Sequence, residues 1–458
     1  MFSIFAPLWV MAFFVHYSED WQPASITLLG LLATLWITSA QKRALPFFVS
    51  TLVFACIQIY QSPYLANHSN FYLLASLFLL VWLAREAFRA KSFEPSQLEA
   101  RFLEMRGVLC LSLFVVYLMA GVHKLNTDFF NPEVSCAADF FHRYADEYGF
   151  SRDYIPQFLM QISPPLVAIV ELGGALLLLV PRLQLLGVLS FVGLHSYLAP
   201  LSFFDFATIC YAILFLFLPQ IVFDSPAKMA RIERGLRVLI GCMVGGAVLA
   251  SIMMDSEFLP IKQDVMQGWP FLIGSFYFIY QIALNMRDSG VGLWSNGTAR
   301  LWRARPRWLY ALPLLLFIYT NTSYLGLRTA GNTTMFSNLR TEGGQTNHLF
   351  IPDWLQIFDY QEKLIHVPTV TDEVRHWYRG MPSEDGVMTE FELKRMAWEW
   401  REKGLFVPMT IIEDGQERSY EDITQSKRWT SDPPNLLMRK LMLFREVQPE
   451  EGPNRCRW

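Results

Sequence analysis

Four ionisable side chains interrupt stretches that are otherwise apolar: Lys124 in YLMAGVHKLN, Glu171 in VELGGALLLLVP, and His195 and Asp205 in FVGLHSYLAPLSFFDF. Away from water a lysine loses part of the advantage of its charged form, and its free amine can then take a proton from a weak acid. A neighbouring carboxylate works the other way and keeps the ammonium as an electrostatic clamp for an anion or enolate. Each group also has a plain structural explanation. Lys124 can snorkel from a helix end, and His195 can hydrogen-bond within helix packing. Asp205, after Pro200 and Ser202, suits a helix N-cap, and Glu171 beside Gly173 and Gly174 suits close helix approach. All four at one end of one bundle point instead to a shared pocket, with Glu171 set deeper. His123 is offset from Lys124 by about 100° around a helix, so only one of the two can aim straight into a narrow site.

The elements that must position these groups are membrane helices. Of 458 residues, 53% are hydrophobic and 17% charged, too little polar surface for an ordinary soluble enzyme. Stretches long enough to cross ~30 Å of hydrocarbon are expected at about 3–17, 24–40, 45–61, 71–85, 107–123, 163–180, 184–200, 203–222, 237–254, 268–285 and 308–325, a bundle of about 10–11 spans. The opening MFSIFAPLWVMAFFVHY has neither a basic leading segment nor a small-residue cleavage site and reads as a retained span. A net charge of −3 excludes a strongly basic nucleic-acid binder. One alternate set of loops carries 17 basic residues, among them Lys42, Arg43, Arg85, Arg89, Lys91, Arg101, Arg106, Arg182, Lys228, Arg237, Arg287, Arg300, Arg303, Arg305 and Arg307. The opposite set holds only Lys124, Arg143, Arg152 and Lys262. The positive-inside rule makes the first set cytoplasmic, which puts the pocket and the C-terminal region on the far side.

The chain divides at about residue 325 into a membrane domain, 1–325, and a polar segment, 326–458, with no further span. The second part reads as a small extracytoplasmic α+β domain. HLFIPDWLQIF and LFVPMTIIEDGQERSY have the pattern of strands, with DG as a hairpin turn. Thr389 and Glu392 open an amphipathic helix over 389–404 as a capping box, and Gly404 closes it. LLMRKLMLFREVQ fits strand or helix. Arg340, Glu342, Gln345, Asn347 and His348 in NLRTEGGQTNH leave the last span over the pocket and can orient a peptide carboxylate, or serve as a polar linker with a structural turn at Gly343 and Gly344. Four cysteines, Cys56, Cys110, Cys210 and Cys242, fall in spans as packing residues; Cys136 and Cys456 are both expected outside, where a disulfide can form. No CxxC, HExxH or phosphate-binding glycine loop is present, so no metal or nucleotide is expected.

AGVHKLNTDFF resembles the segment of vitamin K-dependent gamma-glutamyl carboxylases in which Ala-Gly, a basic pair, Leu and an acidic-aromatic turn close a membrane helix. The stretch from VELGGALLLLVP to SFFDF looks like the next helices of that domain, and MFSNLRTEGGQTNHLFIP resembles a pattern of bacterial members of the wider horizontally transferred transmembrane domain (HTTM) group. The similarity covers roughly residues 5–365. It implies that Lys124 is the catalytic base, with His195 at the family's histidine and His123, Asp205 and Glu171 in support. It also implies a reaction in which reduced vitamin K or a related quinol is deprotonated, oxygen adds, and the resulting strong base removes a proton from a glutamate side chain that captures carbon dioxide. The quinol would enter from the lipid bilayer, and an extracytoplasmic peptide or protein would be the substrate. His123 stands where the carboxylases carry a second lysine, Asn126 where they carry an acid and Leu198 where they carry an asparagine; these changes bear on glutamate carboxylation and leave the base in place. The alternative is a non-carboxylating transporter, receptor or scaffold of the same fold.

Overall fold

The computed structural model describes the chain except residues 19–23, 41, 91–94, 254–262, 296–300, 303–305, 371–385, 448–451 and 457–458, with the backbone alone at 90, 95–97, 253 and 263–265. Lys91, Lys262, Arg300, Arg303 and Arg305 therefore lie outside the described residues. The N-terminal part consists of helices α1 Phe2–Ser18, α2 Ala24–Ser39, α3 Ala44–Gln61, α4 Asn67–Ala90, α5 Pro95–His123, α6 Cys136–Tyr148, α7 Gln157–Leu179, α8 Gln184–Leu198, α9 Phe204–Leu214, α10 Pro226–Met253, α11 Gln263–Asp288, α12 Ala311–Thr320 and α13 Thr322–Leu325. Among the described residues six helices (α3, α4, α5, α7, α8 and α10) are long and apolar enough to cross a membrane. The expected spans at 3–17, 24–40, 203–222 and 308–325 are shorter apolar helices. The span expected at 268–285 falls within α11, which packs against α10.

Burial explains the sequence of α1. FSIFAPLWVMAFFVHYS is apolar on every side, and a helix with no polar face belongs in the middle of a bundle. All its residues except Ser3 and His16 are buried, with Phe5, Trp9 and Phe13 packed among the rings of Phe47, Phe102, Tyr72 and Phe54. The outer helices do the reverse. Phe158, Ile162, Leu166, Ile169 and Leu176 form one exposed face of α7, and Leu314, Leu315, Phe317 and Ile318 lie exposed on α12. Faces of that kind suit hydrocarbon and not water.

The two ends of the bundle differ. At one, the Met1 ammonium lies 2.7 Å from Glu99 and Arg43 lies 3.8 Å from Glu233. Lys124 follows the far end of α5, about 37 Å from Glu99 at 1.5 Å per residue. The C-terminal part sits on that second end. Arg328 donates to the Pro63 carbonyl (2.8 Å), Lys440 to the carbonyls of Tyr60 and Ser62 (2.8 Å each), and Arg395 to the Tyr64 hydroxyl (2.7 Å), so the α3–α4 connection is gripped from three directions.

The C-terminal part has an antiparallel sheet of β1 Leu364–Val370, β2 Gly386–Thr389, β3 Met409–Glu413 and β4 Gln416–Tyr420 in the order β2-β1-β3-β4. Helix α14, Glu390–Glu402, covers one face, with Leu393, Met396, Ala397 and Trp400 packed on Ile365, Val367, Met409 and Ile411. Two short helices follow, α15 Lys427–Thr430 and α16 Leu436–Leu441, the latter within LLMRKLMLFREVQ. Asp414 and Gly415 turn β3 into β4 with φ of 50° and 74°, as a tight hairpin requires. Thr389 caps α14 through the Glu392 amide (3.2 Å), but the Glu392 carboxylate goes to Arg395 instead of back to the cap, so the capping box is half formed. HLFIPDWLQIF is not a strand. Past one isolated bridge between Asn126 and His348 it makes a 3-10 turn at Asp353–Leu355 and leaves Phe350, Trp354 and Ile357 exposed; Pro352, with no amide hydrogen, cannot donate to a ladder.

Candidate functional site

Helix α5 stops at His123 because a side chain takes over its last carbonyl. Asn126 Nδ2 donates to the His123 carbonyl (2.8 Å) and to the Ser337 carbonyl (2.6 Å), while its Oδ1 accepts from the Phe129 amide (2.8 Å). The buried Asn126 thus turns the chain just past Lys124, the first residue beyond the helix, and ties it to the 337–348 segment. Small residues then set the distance to α7. A Cβ on Gly121 would lie 2.7 Å from Leu172 Cγ and 3.1 Å from the Leu172 amide nitrogen. Behind them α8 approaches α7 at Gly187, whose Cβ would meet the Gly174 carbonyl at 2.9 Å. Gly173 faces open space, so of the Gly-Gly pair only Gly174 serves packing.

This close packing brings Lys124 Nζ to 2.8 Å from Glu171 Oε2, with Nζ also 3.5 Å from the Ala120 carbonyl and 5.8 Å from the centre of the Phe129 ring. Both side chains are nearly sealed from solvent, 4% and 11% exposed. They line one cavity of about 60 Å³ together with His195, Tyr117 and His68. Its remaining walls are largely apolar: Phe71, Val116, Leu194, Leu198, Phe203, Phe206, Met335 and Phe336. The mixture of apolar wall and few polar groups is typical of small-molecule sites, while the volume lies below their usual ~300–1,000 Å³, so a ligand of that size must displace wall side chains.

His195 enters from α8. Its Nε2 lies 2.6 Å from the Tyr117 hydroxyl, and its buried Nδ1 has no hydrogen-bond partner among the described residues. Asp205, in the first turn of α9, is held away from Lys124: Oδ2 lies 2.6 Å from His68 Nε2 and 3.1 Å from His16 Nδ1, and Oδ1 accepts from the Phe206 amide (2.6 Å). His123 turns out of the cavity and meets the Tyr324 hydroxyl through Nδ1 (2.8 Å).

The 340–348 group closes the end of the bundle through protein contacts. Glu342 is fully buried against Arg445, Nε at 3.0 Å. Burial alone would raise its pKa, but Arg445 and the Thr341 amide outweigh that and hold it below the usual carboxylate range. Asn347 donates to Asp128 (2.7 Å) and the Asn338 carbonyl (2.8 Å) and accepts from the Arg340 amide (2.8 Å). His348 lies 3.0 Å from the Val122 carbonyl through Nε2, and its Nδ1 accepts from the Phe350 and Ile351 amides (3.1 and 2.9 Å). Arg340 is buried at 5% exposure. None of the four lines the cavity; what reaches it from the chain just before them is Thr333, Met335 and Phe336. Cys136 and Cys456 are joined in a disulfide across 320 residues, and the Cys136 amide donates to Asn338 (2.9 Å), which fastens the chain end to the same clasp.

Sequence reasoning singled out neither His16, His68 nor Tyr117. The two histidines stand at ends of apolar runs, VMAFFVHY and NHSNFYLLAS, the same signal that marked His195. Compared with known proteins, the chain matches no family model, no curated protein and no solved structure.

Proposed function

We propose that the protein is a multi-pass membrane enzyme related to the HTTM and vitamin K-dependent carboxylase group, acting on an acidic hydrogen through Lys124 in a pocket on the non-cytosolic side. The observation that carries this reading is the Lys124–Glu171 pair at 2.8 Å in the wall of an apolar cavity that His195 also lines. The basic residues near Met1 and the disulfide near Lys124 both support that orientation, since positive charge is retained in the cytosol and disulfides persist outside it.

For Lys124 to act as a base, its proton passes first to Glu171 across the ion pair, leaving a neutral amine beside a neutral acid. The amine then takes the acidic hydrogen and becomes the ammonium that steadies the anion formed. His195, held by Tyr117, lines the same space and can contact a bound ligand there. The apolar walls exclude water from a reactive anion. A bound quinol would supply, with oxygen, the oxidation that drives proton removal from a glutamate side chain.

The test is mass spectrometry of purified protein with reduced vitamin K, labelled carbon dioxide and glutamate-containing peptides. Label in glutamate, abolished by Lys124→Ala in protein that still inserts and folds, is the expected result; no label with any peptide refutes carboxylation. A second reading rests on the same ion pair, which occupies the amine: the pocket is a ligand clamp of a transporter or receptor, and binding proceeds with no covalent change.

A further inference from the structure

Three helices far apart in sequence bring three ligating atoms to one point beside the cavity. His16 comes from the last turns of α1, His68 from the first turn of α4 and Asp205 from the first turn of α9. Asp205 Oδ2, His68 Nε2 and His16 Nδ1 are separated by 2.6, 3.1 and 3.2 Å, taken as Asp205–His68, Asp205–His16 and His68–His16. A cation with bonds of ~2.0–2.2 Å spaces adjacent ligand atoms by about 2.9–3.4 Å, so two of the three edges already have the right length. The remaining nitrogen of His16, Nε2, lies 3.2 Å from the Ser69 hydroxyl, the kind of outer contact that turns an imidazole's other nitrogen toward a metal. Asp205 and His68 are buried at 5% and 7% exposure, and Asp205 Oδ1 is steadied by the Phe206 amide.

We propose that His16, His68 and Asp205 bind one divalent first-row transition cation of the zinc class. Two imidazoles and one carboxylate suit zinc, cobalt or ferrous iron, and do not suit calcium or magnesium, which want an all-oxygen shell. Three protein ligands leave at least one coordination position. His68 and Phe206 also line the Lys124 cavity, so the cation would stand at its wall, where an oxygen of a bound ligand can reach that position. The expectation of no metal came from the lack of contiguous metal motifs. This set has none, since 52 and 137 residues separate its members.

The inference stands apart from the carboxylase-like reading and is tested without turnover. Full-length protein carrying no polyhistidine tag is stripped with chelator in detergent and titrated with cobalt(II). Expected are a visible ligand-field band that saturates at one cobalt per chain and its loss on adding zinc. His68→Ala and Asp205→Asn should each weaken binding at least 100-fold, while Lys124→Ala binds as the unaltered protein does. The absence of a saturable band in unaltered protein overturns the proposal, and that measurement needs no variant to fold. Cobalt affinity in His68→Ala and Asp205→Asn equal to that of the unaltered protein overturns it as well. Loss of carboxylation together with normal cobalt binding would strike only the carboxylase-like reading.

Discussion

Replacing Lys124 by Met leaves Glu171 buried and unpaired, and the reverse follows from Glu171→Gln. At 2.8 Å the Coulomb attraction is about 6 kcal/mol for an effective dielectric constant of about 20. Most of it offsets the desolvation of the two groups, yet breaking a buried pair from one side still costs about 3–5 kcal/mol because the remaining group has no partner. Unfolding entropy of about 2.1 cal/mol/K per residue gives about 1 kcal/mol/K for 458 residues. Each single variant should therefore melt about 3–5 °C lower, followed by tryptophan fluorescence in nanodiscs. Lys124→Met with Glu171→Gln removes the orphan and should fall well short of the summed losses, a coupling of roughly 2 kcal/mol or more. If the two single losses simply add, to within about 0.5 kcal/mol, the groups are not paired and the pocket as described is wrong.

Gly121→Ala places a Cβ 2.7 Å from Leu172 Cγ, near the root of that side chain, and 3.1 Å from its amide nitrogen, so a rotamer change alone does not make room; α5 and α7 should separate, with a melting loss of about 1–3 °C at about 1–3 kcal/mol for overpacking and loss of any Lys124-dependent activity. Non-reducing peptide mapping should recover Cys136 linked to Cys456, with Cys56, Cys110, Cys210 and Cys242 as thiols; Cys136→Ser with Cys456→Ser should cost about 2–4 kcal/mol, and an unlinked Cys136 in protein from an oxidising compartment would contradict the clasp. Glu342 is held below the usual carboxylate range, so its stabilisation is fully present above the unfolded value of about 4.3 and is lost as pH falls through the folded value. Glu342→Gln should accordingly lower the melting temperature at pH 7 and flatten the acid side of the stability profile; an unchanged acid slope would refute its role.

Much of the bundle was legible because membrane insertion is a local property. Twenty apolar residues in a row leave a helix few alternatives, and the ionisable exceptions within such runs stand out by their cost. That is why Lys124, Glu171 and His195 are visible in the sequence, and why the Asp414-Gly415 hairpin and the Thr389 cap are too: each is decided within a few residues. The segment HLFIPDWLQIF misled because short apolar runs look alike whether or not a partner strand lies beside them. The polar residues of NLRTEGGQTNH gave no sign of which would be consumed by neighbours, since Glu342 meets Arg445 across 103 residues and Asn347 meets Asp128 across 219.

By itself the sequence determined that the chain is helical and apolar, where its helices run, and which charged groups sit in them at a cost. Tertiary structure alone decided how those charges are neutralised. Lys124 pairs with Glu171 because glycines let α5 and α7 touch, and Asp205 goes to His16 and His68 because α1, buried on all sides, carries a histidine to the head of α9. Pairing depends on distances of a few ångströms between residues scores of positions apart, and no pattern along one chain encodes such distances.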